Sequence, residues 1–241
     1  ASWAKEAIRA LASSSVRSTG WFFLGEGPLG KANLSKKVSS KGVRVLESPI
    51  TGGEHRAKSG NISILVAGKK STFKECFPIL SLLGHEILYC GKIGNASILK
   101  VITNYLASLH LLGIGEALSV AKKNKINLGL TYKAIKISSG NSFVNETETK
   151  VILGGSYDVG FTMDLVNKDI NLFNKLGKNI KLELGNYLSK KFKLGMKNLG
   201  ERSFSTSIIK LIEKDAKIKL RAKNFPKQLI DKQKKQKGVE V

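Results

Sequence analysis

Two polar residues stand one helical turn apart in the most apolar stretch of the sequence. Lys100 and Asn104 lie within residues 96–121, and a spacing of four places both on one face of a helix. Apolar surroundings disfavour an ammonium ion and lower its pKa, so such a lysine can exchange a proton with a substrate hydroxyl near neutral pH. The carboxamide of Asn104 can hold that hydroxyl or a neighbouring carboxylate. The alternative is a lysine whose ammonium reaches solvent at the surface.

A second candidate is the sequence Thr51-Gly52-Gly53, which follows an apolar segment at residues 43–46. Two glycines let backbone N–H groups approach an anion closely, and the Thr hydroxyl adds a hydrogen bond. This chemistry suits a substrate carboxylate. An ordinary glycine turn is the alternative interpretation.

Two further motifs carry weaker signals. In the segment 161–169, Lys168 can pair with an oxygen of a cofactor or substrate, or lie on a solvated helix face. Residues 25–30 match GxGxxG after an apolar segment, and Glu47 follows Gly27 by 20 residues, which is the dinucleotide-binding pattern. Pro28 argues against it, because proline has no N–H to donate to a pyrophosphate.

The composition bounds the class of protein. A chain of 241 residues with 41% hydrophobic residues can bury one large core or two small ones. The formal net charge of +23 suits a polyanion such as nucleic acid. However, the lysines are spread along the chain and arginine, the usual reader of bases, is scarce. This favours a lysine-biased surface and no specific nucleic-acid partner.

The cysteines and the apolar run exclude other classes. Cys76 and Cys90 lack the spacing of a metal site or disulfide scaffold, which predicts no bound metal and a reducing, cytoplasmic location. The run at 96–121 contains Lys100, His110 and Glu116, which argues against a membrane span and favours a buried helix.

Strands and helices alternate up to residue 92, and helices dominate afterwards. The predicted strands are at 20–24, 43–46, 61–68 and 87–90. The predicted helices are at 28–41, 71–83, from Asn95 onward, and near 131–139, 142–151, 162–176, 180–198 and 205–215. The alternation is typical of an α/β layer. The polar, Lys-rich residues 230–241 are predicted to form a loose tail.

Three blocks of residues share their order and separations with one family. They are Glu47-Ser48-Pro49-Ile50-Thr51-Gly52-Gly53 with the strand at 61–68, then Gly91, Gly94 and Lys100 to Asn104, then Gly140-Asn141-Ser142, Phe161, Leu165 and Lys168-Asp169. In these blocks the chain resembles the β-hydroxyacid dehydrogenases, typified by 3-hydroxyisobutyrate dehydrogenase. Each block is weak alone, but three in register are specific.

The resemblance implies a role for each site residue. Lys100 would be the general acid/base, and Asn104 would orient the substrate. Thr51, Gly52 and Gly53 would bind the substrate carboxylate. Lys168 and Phe161 would lie beside the nicotinamide end of NAD or NADP. The implied reaction is reversible hydride transfer between this cofactor and a small 3-hydroxy acid or 2-hydroxy-3-oxo acid, in a homodimer or homotetramer without a membrane partner.

The N-terminal part departs from the family pattern. In the family a complete Rossmann domain precedes the glycine block, whereas fifty residues precede Thr51 here. We therefore expect a partial Rossmann-type domain over residues 1–92, followed by an all-helical domain like the C-terminal domain of 6-phosphogluconate dehydrogenase over 93–241. Two alternatives stay open: a non-catalytic remnant whose helical domain only dimerises, and a basic polyanion-binding protein.

Overall fold

The structure, a computed structural model, describes residues 41–241 and the backbone of Trp21–Leu24. The GxGxxG motif at 25–30 and the helix predicted at 28–41 lie outside the described residues. The chain divides into two compact units. The first ends at Lys100 and also takes in Asp231–Val241, and the second is Val101–Ile230. The division therefore falls eight residues after the expected boundary at 92 and returns the C-terminal segment to the first unit.

A mixed sheet forms the centre of the first unit. Its strands are β1 (Trp21–Leu24), β2 (Arg44–Glu47), β3 (Ile50–Thr51), β4 (Ser63–Gly68), β5 (Glu86–Tyr89) and β6 (Val239–Glu240). Their order is β1-β2-β4-β5-β6, and β3 pairs with β4. The pairs β1–β2, β4–β5 and β5–β6 are parallel, whereas β4 is antiparallel to β2 and β3. The predicted strands are present, and β3 and β6 are additional.

Apolar residues on the strands and one helix form the core of this unit. Helix α1 covers Gly53–Ser59, and helix α2 covers Lys70–Leu83. The buried cluster consists of Leu46, Ile64, Val66, Phe73, Cys76, Leu80 and Ile87. β4 is the most deeply buried of the described strands. Its β-branched residues suit this position, since such side chains pack well in a strand that is covered on both faces.

The second unit is helical. Its helices are α3 (Asn95–Lys123), which begins in the first unit, then α4 (Leu128–Lys136), α5 (Phe143–Glu146), α6 (Glu148–Gly154), α7 (Met163–Leu176), α8 (Glu183–Leu199) and α9 (Ile209–Asp215), preceded by a 3-10 turn at Ser205–Ile208. The single helix predicted at 142–151 is wrong. Thr147, with φ −120° and ψ −77°, breaks it into α5 and α6, and its hydroxyl donates to the Phe143 carbonyl at 2.7 Å.

The prediction of a loose C-terminal tail is also wrong. Val239–Glu240 forms β6 on the edge of β5, and Asp231 accepts hydrogen bonds from Ser59 and Asn61. Backbone pairing with β5 and hydrogen bonds from the buried Asn61 side chain hold this polar segment. Its sequence has no apolar periodicity, so its ordered structure was not predictable from the sequence.

Helix α3 is long and apolar enough to cross a membrane by length and composition alone, and 28% of its most apolar window is buried. Core helices of globular proteins pass the same test. Length and hydropathy of this helix are therefore weak evidence for a membrane span.

Candidate active site

Lys100 and Asn104 share one face of α3, as predicted from their spacing. Both side chains are half-buried. Neighbours on the same helix are buried more deeply, for example Ala96 and Val101. These packed neighbours hold the first turns of α3 in place. The lowered pKa of Lys100 stays a prediction.

Asn104 is held by a carboxylate from α7. Its Nδ2 donates to Oδ2 of Asp169 at 2.6 Å, and the other oxygen, Oδ1, lies 3.4 Å from Nζ of Lys168. The side chain of Asp169 is 13% exposed, whereas that of Lys168 is 43% exposed. Asp169 therefore links two residues that the sequence singled out. Asp169 stands in the motif at residues 161–169, but its residue type and position alone predict no role for it.

An aromatic stack sets the rotation of these two helices. The rings of Tyr105 and Phe173 lie 3.8 Å apart between centroids and are nearly parallel, at 4°. Tyr105 follows Asn104 directly, and Phe173 lies one helical turn after Asp169. Aromatic side chains contribute large buried apolar area to packing, so this contact between the two helices helps to keep Asn104 opposite Asp169.

A cavity of about 50 Å³ opens beside Asn104 and Asp169. Its lining also includes Ser108, Phe161, Ser205 and Glu148. Glu148 is half-buried in the first turn of α6, and desolvation raises its pKa to about 7. This carboxyl changes charge near neutral pH. Sequence reasoning missed it, because no local pattern distinguishes it from the other acidic residues nearby.

Thr51, Gly52 and Gly53 lie in the first unit, where β3 ends and α1 begins. Gly52 has φ 125° and Gly53 has φ 84°, values that residues with a side chain rarely adopt. A Cβ on Gly52 would come within 3.1 Å of Arg56 Cδ. The turn therefore requires glycine at both positions. Its binding of a carboxylate stays a prediction.

Glu47, which the sequence singled out only by its spacing from the glycine motif, has a structural role. It is fully buried, and its two oxygens accept 2.6 Å hydrogen bonds from the N–H groups of Gly94 and Ser97. It thus caps the N-terminus of α3, which carries Lys100 and Asn104. The side chain of Asn95, the first residue of this helix, donates to the Cys90 carbonyl at 2.7 Å.

Two family models match most of the chain. The NAD binding domain of 6-phosphogluconate dehydrogenase matches residues 27–91, and the NAD-binding model of NADP-dependent 3-hydroxyisobutyrate dehydrogenase matches residues 94–212. The chain belongs to the β-hydroxyacid dehydrogenase family. Both matched models are nicotinamide-dinucleotide-binding regions of this family, which confirms the expected cofactor class, NAD or NADP.

Curated relatives in the family match the chain over part of their length. The 2-(hydroxymethyl)glutarate dehydrogenase of Eubacterium barkeri is 30% identical over 152 residues, which are 63% of this chain and 50% of that protein. The mitochondrial 3-hydroxyisobutyrate dehydrogenase of Rattus norvegicus is 28% identical, over 60% of this chain and 45% of that protein. The chain thus spans about half the length of the curated relatives that it matches.

Solved structures confirm the predicted fold class. A 3-hydroxyisobutyrate dehydrogenase from Mycobacterium tuberculosis with L-serine has a TM-score of 0.72 at 20% identity, covering 86% of this chain and 76% of that chain. One from Salmonella typhimurium has a TM-score of 0.72 at 18% identity, covering 85% and 76%. The fold is that of these dehydrogenases: a nucleotide-binding sheet domain followed by a mostly helical part.

Proposed function

We propose that this chain is an NAD(P)-dependent oxidoreductase that transfers a hydride reversibly between the cofactor and a small 3-hydroxy acid or 2-hydroxy-3-oxo acid. The observation that carries the proposal is the arrangement on α3. Lys100 and Asn104 share a face, and Asn104 is anchored to Asp169 at 2.6 Å. The substrates named in the relatives support the class, because 2-(hydroxymethyl)glutarate, 3-hydroxyisobutyrate and L-threonate are all small hydroxy acids.

In this proposal Lys100 moves the proton. Its ammonium protonates the carbonyl oxygen during reduction, and its amine accepts the hydroxyl proton during oxidation. Packing of α3 fixes the backbone position from which this lysine reaches the substrate. Thr51, Gly52 and Gly53 bind the substrate carboxylate, because two glycines with positive φ leave room for close backbone approach.

Asn104 orients the substrate through its carbonyl oxygen. A carboxylate only accepts hydrogen bonds, so the amide nitrogen of Asn104 must face Asp169. Its Oδ1 is then the atom that can accept from the substrate hydroxyl. The hydroxyl has one hydrogen, so it donates to Oδ1 while it is held and turns that O–H toward the Lys100 amine when the proton is transferred.

The residues expected at the nicotinamide fit such a group. Phe161 is half-buried and offers an apolar ring, and Lys168 carries a partly exposed ammonium next to Asp169. We propose that these two side chains border the nicotinamide end of NAD or NADP. The bound cofactor supplies or accepts the hydride, and the protein supplies position and a proton.

We further propose that the chain assembles as a homodimer or homotetramer. Large apolar side chains of α3 are exposed in the single chain, namely Ile98, Leu99, Ile102, Leu106 and Val120. An apolar groove of about 620 Å³ lies farther along the same helix, between Leu109 and Tyr187. Exposed apolar surface of this kind marks protein interfaces. Sedimentation equilibrium tests the assembly, and a monomer at micromolar concentration contradicts it.

The function is tested by separating cofactor binding from turnover. NADH and NADPH binding is measured by fluorescence, and oxidation of a panel of small 3-hydroxy acids is followed by NAD(P)H absorbance. We expect Lys100→Ala to lower turnover roughly 100- to 10,000-fold while cofactor affinity is retained. Lys123→Ala, at an exposed lysine on the same helix, is the matched control and keeps activity.

Two outcomes contradict the proposal at different points. A Lys100→Ala variant that keeps most of its activity shows that the acid/base assignment is wrong. Absence of NADH and NADPH binding at millimolar concentration favours the alternative, a helical module that only dimerises or binds a partner.

A further inference from the structure

The C-terminal segment adds a strand to the edge of the first unit's sheet. β6 runs parallel to β5 with Glu86 opposite Val239 and Ile87 opposite Glu240. Backbone N–H groups of the segment donate to the sheet and to α2: Gly238 to Ser81 at 2.9 Å, Val239 to His85 at 2.7 Å and Val241 to Ile87 at 3.1 Å. This pattern is that of a peptide bound by β-augmentation.

The buried side-chain amide of Asn61 binds the residues that precede β6. Asn61, 4% exposed, donates from Nδ2 to the Asp231 carboxylate at 2.9 Å and to the carbonyls of Gln233 and Lys234, both at 3.3 Å. Its Oδ1 accepts from the N–H of Gln236 at 3.0 Å. Donor and acceptor atoms of one side chain are therefore both used on the segment. A buried amide left without these partners would be costly.

Close packing requires glycine at position 238, immediately before β6. A Cβ on Gly238 would lie 2.5 Å from Cα of Ser81 and 2.7 Å from the carbonyl oxygen of Gly84. Both are backbone atoms that cannot move aside easily. The segment also has charged contacts with the first unit, a 2.6 Å hydrogen bond from Ser59 to Asp231 and an ion pair between Lys70 and Glu240.

We propose that the first unit carries a strand-accepting groove, formed by Asn61, residues 81–84 and the edge of β5, that recognises the sequence Asp231–Val241 as a peptide. The groove is separate from the residues assigned to the reaction, and the inference does not rest on the proposed function. Its occupant covers the edge of β5, which would otherwise present unpaired N–H and carbonyl groups to other chains. The partner that fits is an extended segment with a small, glycine-like residue two positions before its acidic residue.

Covalent attachment keeps the groove occupied. A tethered segment competes at an effective concentration in the millimolar range, so a free peptide binds only when the chain's own segment is disabled. Gly238→Val disables the segment by backbone collision and leaves Asn61 and β5 unchanged. This makes the full-length variant the natural receptor for a test.

The experiment uses a fluorescent peptide of the sequence of residues 231–241 and measures anisotropy against full-length chains. We expect saturable binding to the Gly238→Val chain, and at least ~10-fold weaker binding to the unmodified chain. Adding Asn61→Leu to the Gly238→Val chain should weaken binding by a further factor of ~10 or more, since two or more hydrogen bonds are lost. A chain carrying Lys232→Val, a change at an exposed position of the segment, is the control and should behave like the unmodified chain.

A second measurement keeps the proposal falsifiable if Gly238→Val does not fold. Hydrogen exchange of the unmodified chain should show slow exchange at the amides of Gly238, Val239 and Val241. Exchange of these amides at the rate of the free peptide overturns the proposal. Equal binding of the labelled peptide and a scrambled peptide to the Gly238→Val chain overturns it as well.

Discussion

Replacing Glu47 by glutamine should strongly destabilise the fold that carries the proposed catalytic residues. In the native chain each carboxylate oxygen accepts one 2.6 Å bond from the N-terminus of α3. Glutamine keeps one acceptor but turns an NH₂ group toward the other backbone N–H. That buried donor is then unsatisfied, at a cost of about 1–3 kcal/mol.

The lost negative charge adds to this cost. A carboxylate at a helix N-terminus is stabilising by up to ~2 kcal/mol in a buried geometry. Together the two effects predict that Glu47→Gln lowers the free energy of unfolding by about 3 kcal/mol. This is a large share of the roughly 5–15 kcal/mol typical of a folded protein.

Urea unfolding followed by far-UV circular dichroism measures the loss. Glu54→Gln is the matched control, because Glu54 is exposed and its ion pair with Lys58 is a surface i,i+4 pair. Such pairs contribute about 0.3–0.5 kcal/mol. A Glu47→Gln variant within ~0.5 kcal/mol of the unmodified chain would refute the capping argument.

Further predictions concern the second unit. Burial raises the pKa of Glu148 to about 7. The protonated carboxyl therefore contributes fully to the free energy of unfolding below its ordinary pKa of 4.5, and this contribution is lost as pH rises through 7. Glu148→Gln should therefore gain stability relative to the unmodified chain as pH rises from about 4.5 to 7.5, by about 3 kcal/mol, because each pKa unit is worth about 1.4 kcal/mol. Urea midpoints of the two chains that stay parallel across this range contradict the assignment. Asp169→Asn removes the charge that faces Lys168 and should lower kcat/KM about 10-fold. Asp215→Asn, at an exposed position, is the control and should leave kcat/KM unchanged. Steady-state kinetics on a 3-hydroxy acid measures both variants, and equal values would show that Asp169 does not position the site.

Periodicity predicted most elements of the fold. Short apolar runs located β2, β4 and β5, and helical patterning located α2, α3, α7 and α8. The spacing of Lys100 and Asn104 placed both on one face of α3, since a helix brings residues four apart together whatever surrounds it. Local patterns suffice for such features, because they depend on neighbouring residues alone.

Roles that depend on distant partners were not predictable in this way. Glu47 lies at the distance from a glycine motif that the dinucleotide-binding pattern has, yet it caps a helix that begins 48 residues later. Glu148 differs from other acidic residues because burial desolvates its carboxyl and raises its pKa. Burial of this kind depends on distant parts of the chain, so no local sequence pattern predicts it. The break at Thr147 likewise reflects a backbone geometry that the helical period of residues 142–151 concealed.

The sequence by itself determined the family, the order of strands and helices, and the pair of polar residues on the apolar helix, because each is encoded by residue types at short range or by motifs in register. Tertiary structure alone decided that Asp169 anchors Asn104 and that the Lys-rich segment at 231–241 completes a sheet. Those outcomes arise from hydrogen bonds between residues 65 to 175 positions apart, and their free energy exists only when folding has brought the partners together.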